Sequence, residues 1–245
     1  MYDFSELSIL KYKENVPFYW CDFDKKMSIG YIARLFGEIG GQHLTAQGFS
    51  HDRLYDMGLV FVLSRFEIEF NRRPGLAEPI VFTTWEEGIN RLFFSRAFEL
   101  ASESGEMLAQ GNSAWLLINP HTRAILKPGA WKWETAKTGR RTAMRFPPRF
   151  KYDCNDGFVL AGNHTVKLSE LDANGHVNSA VYFDWILNYI AAEKNAEPKR
   201  ISINYIAEAL LNEEIEIYSR ICENIIHVYA KGKNGPCFYA EIEFK

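Results

Sequence analysis

Three polar residues stand close together in the segment Leu171-Asp-Ala-Asn-Gly-His-Val-Asn178: Asp172, Asn174 and His176. They alternate along a turn just before an apolar stretch of helical spacing, so their side chains can converge on one face at a helix N-terminus. Unsatisfied backbone N–H groups and the positive end of the helix dipole favour developing negative charge there. The oxygen of a thioester carbonyl under attack develops such charge, and preorganised donors aimed at it stabilise the transition state. The set therefore suits acyl transfer to water. A structural role fits the same residues, with Asn174 or Asn178 capping the helix, Gly175 easing the turn and His176 lying on the surface. Spacing alone leaves both readings standing.

Other chemistries have less support. His43, His51, His121, His164 and His227 are scattered singly, so no metal site is expected, and no cofactor is called for. Cys21, Cys154, Cys222 and Cys237 form no CxxC pair, and reduced core cysteines are the simplest expectation. There is no G-x-S-x-G elbow to supply a serine nucleophile. A net charge of -3 with 24% charged residues argues against a general nucleic-acid binder, and 47% apolar residues are ample for a buried core. Charged residues interrupt Met1 to Tyr19, and no apolar run approaches the length of a membrane span, which leads us to expect a cytoplasmic protein.

The elements that would position these residues follow one plan used twice. Phe66–Phe70 followed by Glu78–Phe82 matches Ile201–Tyr205 followed by Glu213–Ile217 at a constant offset. Each half continues with strand-like segments, Arg91–Leu100 and Met107–Ile118 in the first, Ile225–Lys231 and Cys237–Phe244 in the second. The turn signals Ser104-Gly105 and Asn234-Gly235 separate the last two strands of each half. Ahead of the strands, Ile29, Ile32, Ala33, Phe36 and Ile39 mark one helix, and Val177, Val181, Ile186 and Tyr189 another. Helices with so little polar face are normally enclosed, and a curled antiparallel sheet can enclose them. The expected class is α+β, a tandem double hotdog with each sheet wrapped around a central helix. Between the halves, Gly129–Arg149 holds six basic residues, one acidic residue and Pro147-Pro148, and reads as a crossover linker. The expected division is 1–128, linker 129–149, and 150–245.

The stretch Leu171-Asp-Ala-Asn-Gly-His-Val-Asn-Ser-Ala-Val-Tyr-Phe-Asp-Trp-Ile-Leu187 resembles the signature of the acyl-acyl carrier protein thioesterases of plants and bacteria. Trp115 in a Ser-x-Trp strand, the Asn-Pro-His-Thr-Arg123 turn and the Phe-Asn-Arg-Arg-Pro74 stretch are similar to further family features, and the resemblance covers nearly the whole chain. It implies hydrolysis of fatty acyl thioesters by the second half. Asp172, Asn174 and His176 match the family's catalytic Asp, Asn and His, and Glu208, after the strand ending in Tyr205, matches its Glu. The repeat places Arg73 opposite Glu208, so only the second half should be catalytic. Plant members often carry Cys directly after that Glu; here the position is Ala209, which leaves attack by water, with Glu208 or Asp172 as base and His176 positioning water or protonating the thiolate. Ser179 replaces the signature's last Asn.

The resemblance also implies that the first half binds the acyl tail, with Ile29, Ile32, Phe36, Leu59, Phe61 and Trp115 as wall candidates that equally suit plain core. Arg72, Arg73, Arg140, Arg141, Arg145 and Arg149 could meet an acidic carrier protein, or be ordinary solvated charge. Other hotdog activities stay open on the sequence: a coenzyme A thioesterase, a dehydratase or hydratase, or a non-catalytic acyl-binding module. Pairing of two copies through outer surfaces is also open.

Overall fold

The computed structural model describes residues 1–3, 6–153, 156–190 and 197–245. It divides into two compact units, Met1–Phe66 with Phe70–Pro147, and Glu67–Glu69 with Pro148–Lys245. The linker expected over 129–149 falls almost wholly in the first.

In the first unit, strands β1 (Tyr2–Asp3), β2 (Ile9–Asn15), β3 (Val60–Phe70), β4 (Pro79–Asn90), β5 (Phe93–Ser102) and β6 (Met107–Ile118) run in the order β1-β2-β4-β5-β6-β3. Helix α1 (Ile29–Ala46) is capped by the Ser28 hydroxyl, which accepts from the Tyr31 N–H, and it buries Ile29, Ile32, Ala33, Phe36 and Ile39. Phe36 is the centre of this contact, stacked on Phe98 at 5.0 Å and edge-on to Phe82 at 5.5 Å between ring centroids. A short helix, α2 (His51–Asp56), follows. In the second unit, β7 (Val159–Thr165), β8 (Pro198–Tyr205), β9 (Glu214–Cys222), β10 (Ile225–Gly232) and β11 (Gly235–Phe244) run in the order β8-β11-β10-β9-β7. Helix α3 (Val181–Ile190) buries Tyr182, Phe183, Trp185 and Ile186, with Tyr182 edge-on to Phe238 of β11. Among the described residues no helix is long and apolar enough to cross a membrane.

Several expectations are corrected. The second helix begins at Val181, not near Val177, because the Asn178 side chain accepts the Ala180 N–H and its carbonyl accepts the Val181 N–H. Val177 is instead held extended, its N–H donating to the Ala209 carbonyl. Arg91 lies outside β5, in a left-handed turn (φ 57°) between the paired ends Asn90 and Phe93. Cys222 is exposed rather than core, Cys237 is buried, and Cys154 lies outside the described residues. Strands β2 and β7 carry no signal that the sequence reading used.

The 131–147 stretch has no regular structure, yet it is pinned along the first unit. Trp131 packs against Phe49, Phe61 and Phe94, Trp85 Nε1 donates to the Arg140 carbonyl, and Thr142 N–H donates to Glu87.

Candidate active site

The polar segment singled out by spacing is a closed loop. Leu171 and Val177 pair as an antiparallel bridge, the Asp172 N–H donates to the His176 carbonyl (2.8 Å), and the Gly175 N–H donates to the Asp172 carbonyl (3.0 Å). Gly175 takes the left-handed conformation (φ 78°) that the turn requires. Asp172 Oδ1 accepts the N–H groups of Asn174 (2.8 Å) and His176 (3.3 Å), so this carboxylate faces its own loop and fixes its shape. Asn174 is exposed at the tip.

His176 is fixed twice over. It forms a bridge with Leu210, while Val177 bonds Ala209, so the loop is tied to the segment that follows β8. That segment carries Glu208, whose Oε2 stands 3.4 Å from His176 Nε2. The two side chains are 37% and 29% exposed, open enough to meet a substrate. The structure thus brings His176 and Glu208 together, gives Asp172 the loop backbone as partner, and leaves Asn174 facing out.

Behind this pair stands a support that spacing did not reveal. The Tyr205 hydroxyl donates to the Ser179 carbonyl (2.8 Å), joining the end of β8 to the segment that enters α3. Cys237 Sγ lies 3.4 Å from the Ala207 carbonyl and 3.8 Å from the Tyr182 hydroxyl. Burial pushes its thiol up to about 12, so it is protonated at neutral pH and unsuited to attack. On the other side, Glu170 receives Trp185 Nε1 (2.8 Å), the Lys167 N–H (2.7 Å) and the His164 ring (2.9 Å). Burial opposes its ionisation, but the bonds from His164, Lys167 and Trp185 outweigh burial and hold its carboxyl below the ordinary value. These contacts join positions far apart in sequence and have no local signature, although Glu170 sits only two residues before Asp172.

The first unit contains the same loop with different chemistry. Cys21 pairs with Met27, the Asp22 N–H donates to the Lys26 carbonyl, the Asp24 N–H donates to Asp22 Oδ1, and Met27 N–H donates to the Pro74 carbonyl. Lys26 occupies the place of His176, and Arg73 the place of Glu208. Arg73 is turned to Asp22 as an ion pair and approaches Asp24 at 3.9 Å. Among the described residues no His–carboxylate pair stands at this copy of the loop.

The other candidate residues are placed as follows. Arg72 is held by Glu78 and Glu106, and Arg140 pairs with Glu99 over the Trp85 ring. Arg141 donates to the Glu87 carbonyl. Arg73 is paired as well, and Arg145 and Arg149 are exposed.

The first unit also holds a cavity of about 520 Å³, inside the range of roughly 300–1,000 Å³ usual for ligand sites. Phe61 and Trp115 line it. Ile29, Ile32, Phe36 and Leu59 do not: they are buried core, the first three under the sheet and Leu59 against Phe49, Leu54 and Leu117. Its polar lining includes Glu86 and Arg96, paired at 3.0 Å, with Glu38, Glu134 and Lys137 also on its wall. Arg96 also donates to His43 Nδ1, and burial, then the Arg96 charge, keep His43 below its ordinary pKa and neutral. Gly37 and Gly41 of α1 line the opposite side. Glycine inside a helix costs about 0.8–1.0 kcal/mol relative to alanine, and a Cβ at either position would meet nothing within 4 Å.

Residues 9–127 match the model of the acyl-ACP thioesterase N-terminal domain, and residues 159–235 that of the C-terminal domain. The chain is 25% identical over 231 residues to oleoyl-acyl carrier protein thioesterase 1, chloroplastic, of Arabidopsis thaliana, covering 84% of this chain and 63% of that protein. It is 26% identical over 230 residues to the oleoyl-acyl carrier protein thioesterase of Coriandrum sativum, covering 84% and 62%. The chain thus spans about three fifths of the length of these relatives. An acyl-ACP thioesterase from Bacteroides thetaiotaomicron superimposes with a TM-score of 0.87 at 26% identity, over 97% of this chain and 98% of that one. The 12:0-ACP thioesterase of Umbellularia californica shares the fold at a TM-score of 0.80 and 16% identity, over 98% of each chain. Each unit is a hotdog, and the chain belongs to the acyl-ACP thioesterase family.

Proposed function

We propose that the protein hydrolyses fatty acyl thioesters of acyl carrier protein, releasing free fatty acid and carrier-protein thiol. The observation that carries this reading is the His176–Glu208 pair at 3.4 Å, set on a loop whose shape Asp172 fixes. Glu208 is the general base and Asp172 a positioning residue, since Asp172 Oδ1 is already occupied by backbone N–H groups while Glu208 faces His176. A water proton passes to Glu208 as the water oxygen attacks the carbonyl carbon. The tetrahedral intermediate collapses with cleavage of the C–S bond, and His176 supplies the proton that the departing thiolate takes up. Asn174, exposed at the loop tip, orients the water or the carbonyl. No protein nucleophile is required, consistent with Ala209 at its position and with the protonated Cys237 thiol. The acyl tail enters the cavity of the first unit, where Phe61 and Trp115 form part of the wall.

The test is release of free thiol from matched acyl carrier protein and acyl coenzyme A thioesters. Faster turnover of the carrier-protein esters supports the reading. Preference for the coenzyme A esters would move the substrate assignment, and tight acyl binding with no thiol released would replace the enzyme with a binding module.

A further inference from the structure

We propose that Glu213 is a positioning residue for the base: its carboxylate clamps the segment after β8 in the register that sets Glu208 against His176. This rests on the thioesterase reading above, in which Glu208 takes the proton. The segment is held at three places. At its start, the Ile206 and Ala207 N–H groups both donate to the Cys237 carbonyl of β11. In its middle, the Ala209 carbonyl accepts the Val177 N–H, and Leu210 forms a bridge with His176. At its end the hold is a side chain. Glu213 Oε2 accepts the Leu210 N–H (3.1 Å), while Glu213 Oε1 accepts the Lys233 N–H (3.2 Å) in the turn between β10 and β11. One half-buried carboxylate thus ties the residue that bridges His176 to the β10–β11 hairpin, two positions from Glu208.

The fold makes room for that carboxylate. Glycine weakens a strand, and Gly232, the last residue of β10, has no positive φ that would demand it. A Cβ there, however, would overlap Glu213 Oε1 and lie 3.0 Å from Glu213 Cδ. What Gly232 preserves is the seat of the Glu213 carboxylate. The first unit solves the same problem differently. There Glu78, at the same repeat offset, accepts the Gly75 N–H (2.8 Å), and its two oxygens are also taken by Arg72 (2.7 and 2.9 Å). By that offset Ala207 stands at the place of Arg72, and Glu213 reaches to the hairpin instead. The first copy clamps a turn that carries Arg73; the second clamps one that carries the base. Without Glu213 the Leu210 N–H loses its acceptor, and the slack falls on Glu208. A catalytic group misplaced by about 1 Å costs up to roughly 10²-fold in rate.

The experiment measures kcat and KM for acyl carrier protein thioester hydrolysis by the unmodified protein, Glu213→Ala, Glu213→Gln and Gly232→Ala, and repeats Glu213→Ala in a Glu208→Gln background. Glu213→Ala should lower kcat by about 10–10²-fold and leave KM within about twofold, because the proton transfer and not the binding is disturbed. Glu213→Gln keeps one acceptor oxygen and should recover part of the rate. Gly232→Ala, which displaces the carboxylate with Glu213 intact, should lower kcat in the same direction. In the Glu208→Gln background the Glu213 change should cost less than about twofold, since it acts through the base. If Glu213→Ala does not fold, Glu213→Gln takes its place in the cycle. An equal loss in both backgrounds, or an unchanged kcat with Glu208 present, overturns the positioning role and leaves the hydrolase intact. Near-normal turnover by Glu208→Gln alone removes the base assignment and this role with it, and no thiol release by the unmodified protein removes the thioesterase reading itself.

Discussion

At the scale of single residues, two carboxylates near the same histidine have different partners. Asp172 accepts two N–H groups of its own loop, whereas Glu208 faces the imidazole. Asp172→Asn keeps an acceptor oxygen and should retain most of the activity, while Asp172→Ala should lose both activity and about 1–2 kcal/mol of stability. Parallel kcat and thermal-melt measurements decide it: an Asp172→Asn variant as inactive as Glu208→Gln would make Asp172 the base. Asp172, Asn174 and His176 were legible because three polar side chains within one turn stand out against an apolar helix. Glu208 has no such local signature, being far along the chain and brought back by the return of β8, and it was reached through family resemblance and the internal repeat. Tyr205 and Cys237 act through strand-to-helix contacts that spacing cannot encode.

At the scale of elements, the loop is held between β8 and the turn at Glu170. Tyr205→Phe removes the hydroxyl bond to Ser179 and should cost about 0.5–1.5 kcal/mol, measurable by denaturant unfolding; an unchanged midpoint would deny that bond any role in fixing the entry to α3. Glu170 gives a pH dependence whose sign is set by its lowered carboxyl pKa. The unfolded chain binds its proton at an ordinary value near 4.5, and the folded chain only below that. Its contribution is complete above 4.5 and is lost as pH falls toward the lower folded value. Glu170→Gln should therefore flatten the acid side of the thermal-midpoint profile, and an identical slope in the variant would contradict the assignment. The strands and hairpin turns were readable from alternation and from Ser104-Gly105 and Asn234-Gly235. The start of α3 was not, because Asn178 diverts the backbone where apolar periodicity continues unbroken.

At the scale of the whole molecule, one fold is used twice, and the proposed mechanism uses one copy for the chemistry. The first unit keeps the loop but replaces His176 and Glu208 with Lys26 and Arg73, locking it through the Arg73–Asp22 pair. Arg73→Ala should lower the thermal midpoint, because Asp22 loses its partner, and leave hydrolysis per folded molecule nearly unchanged; a loss of turnover as deep as that of His176→Ala would mean that the first copy takes part in the reaction. The repeat was visible in paired strand segments at one offset. The first copy of the loop was hidden, since Asp22-Phe-Asp-Lys-Lys26 shares only its leading Asp with the second and is recognised by its hydrogen bonds.

The most direct test of the account is a double-mutant cycle at the pair itself: kcat/KM for acyl carrier protein thioester hydrolysis by His176→Ala, Glu208→Ala and the double variant. Each single change should lower the rate by roughly 10²–10⁴-fold with the thermal midpoint nearly kept, and the double variant should be little worse than either, as for groups acting as one unit. Near-normal rates in both single variants would contradict the claim that this pair performs the hydrolysis.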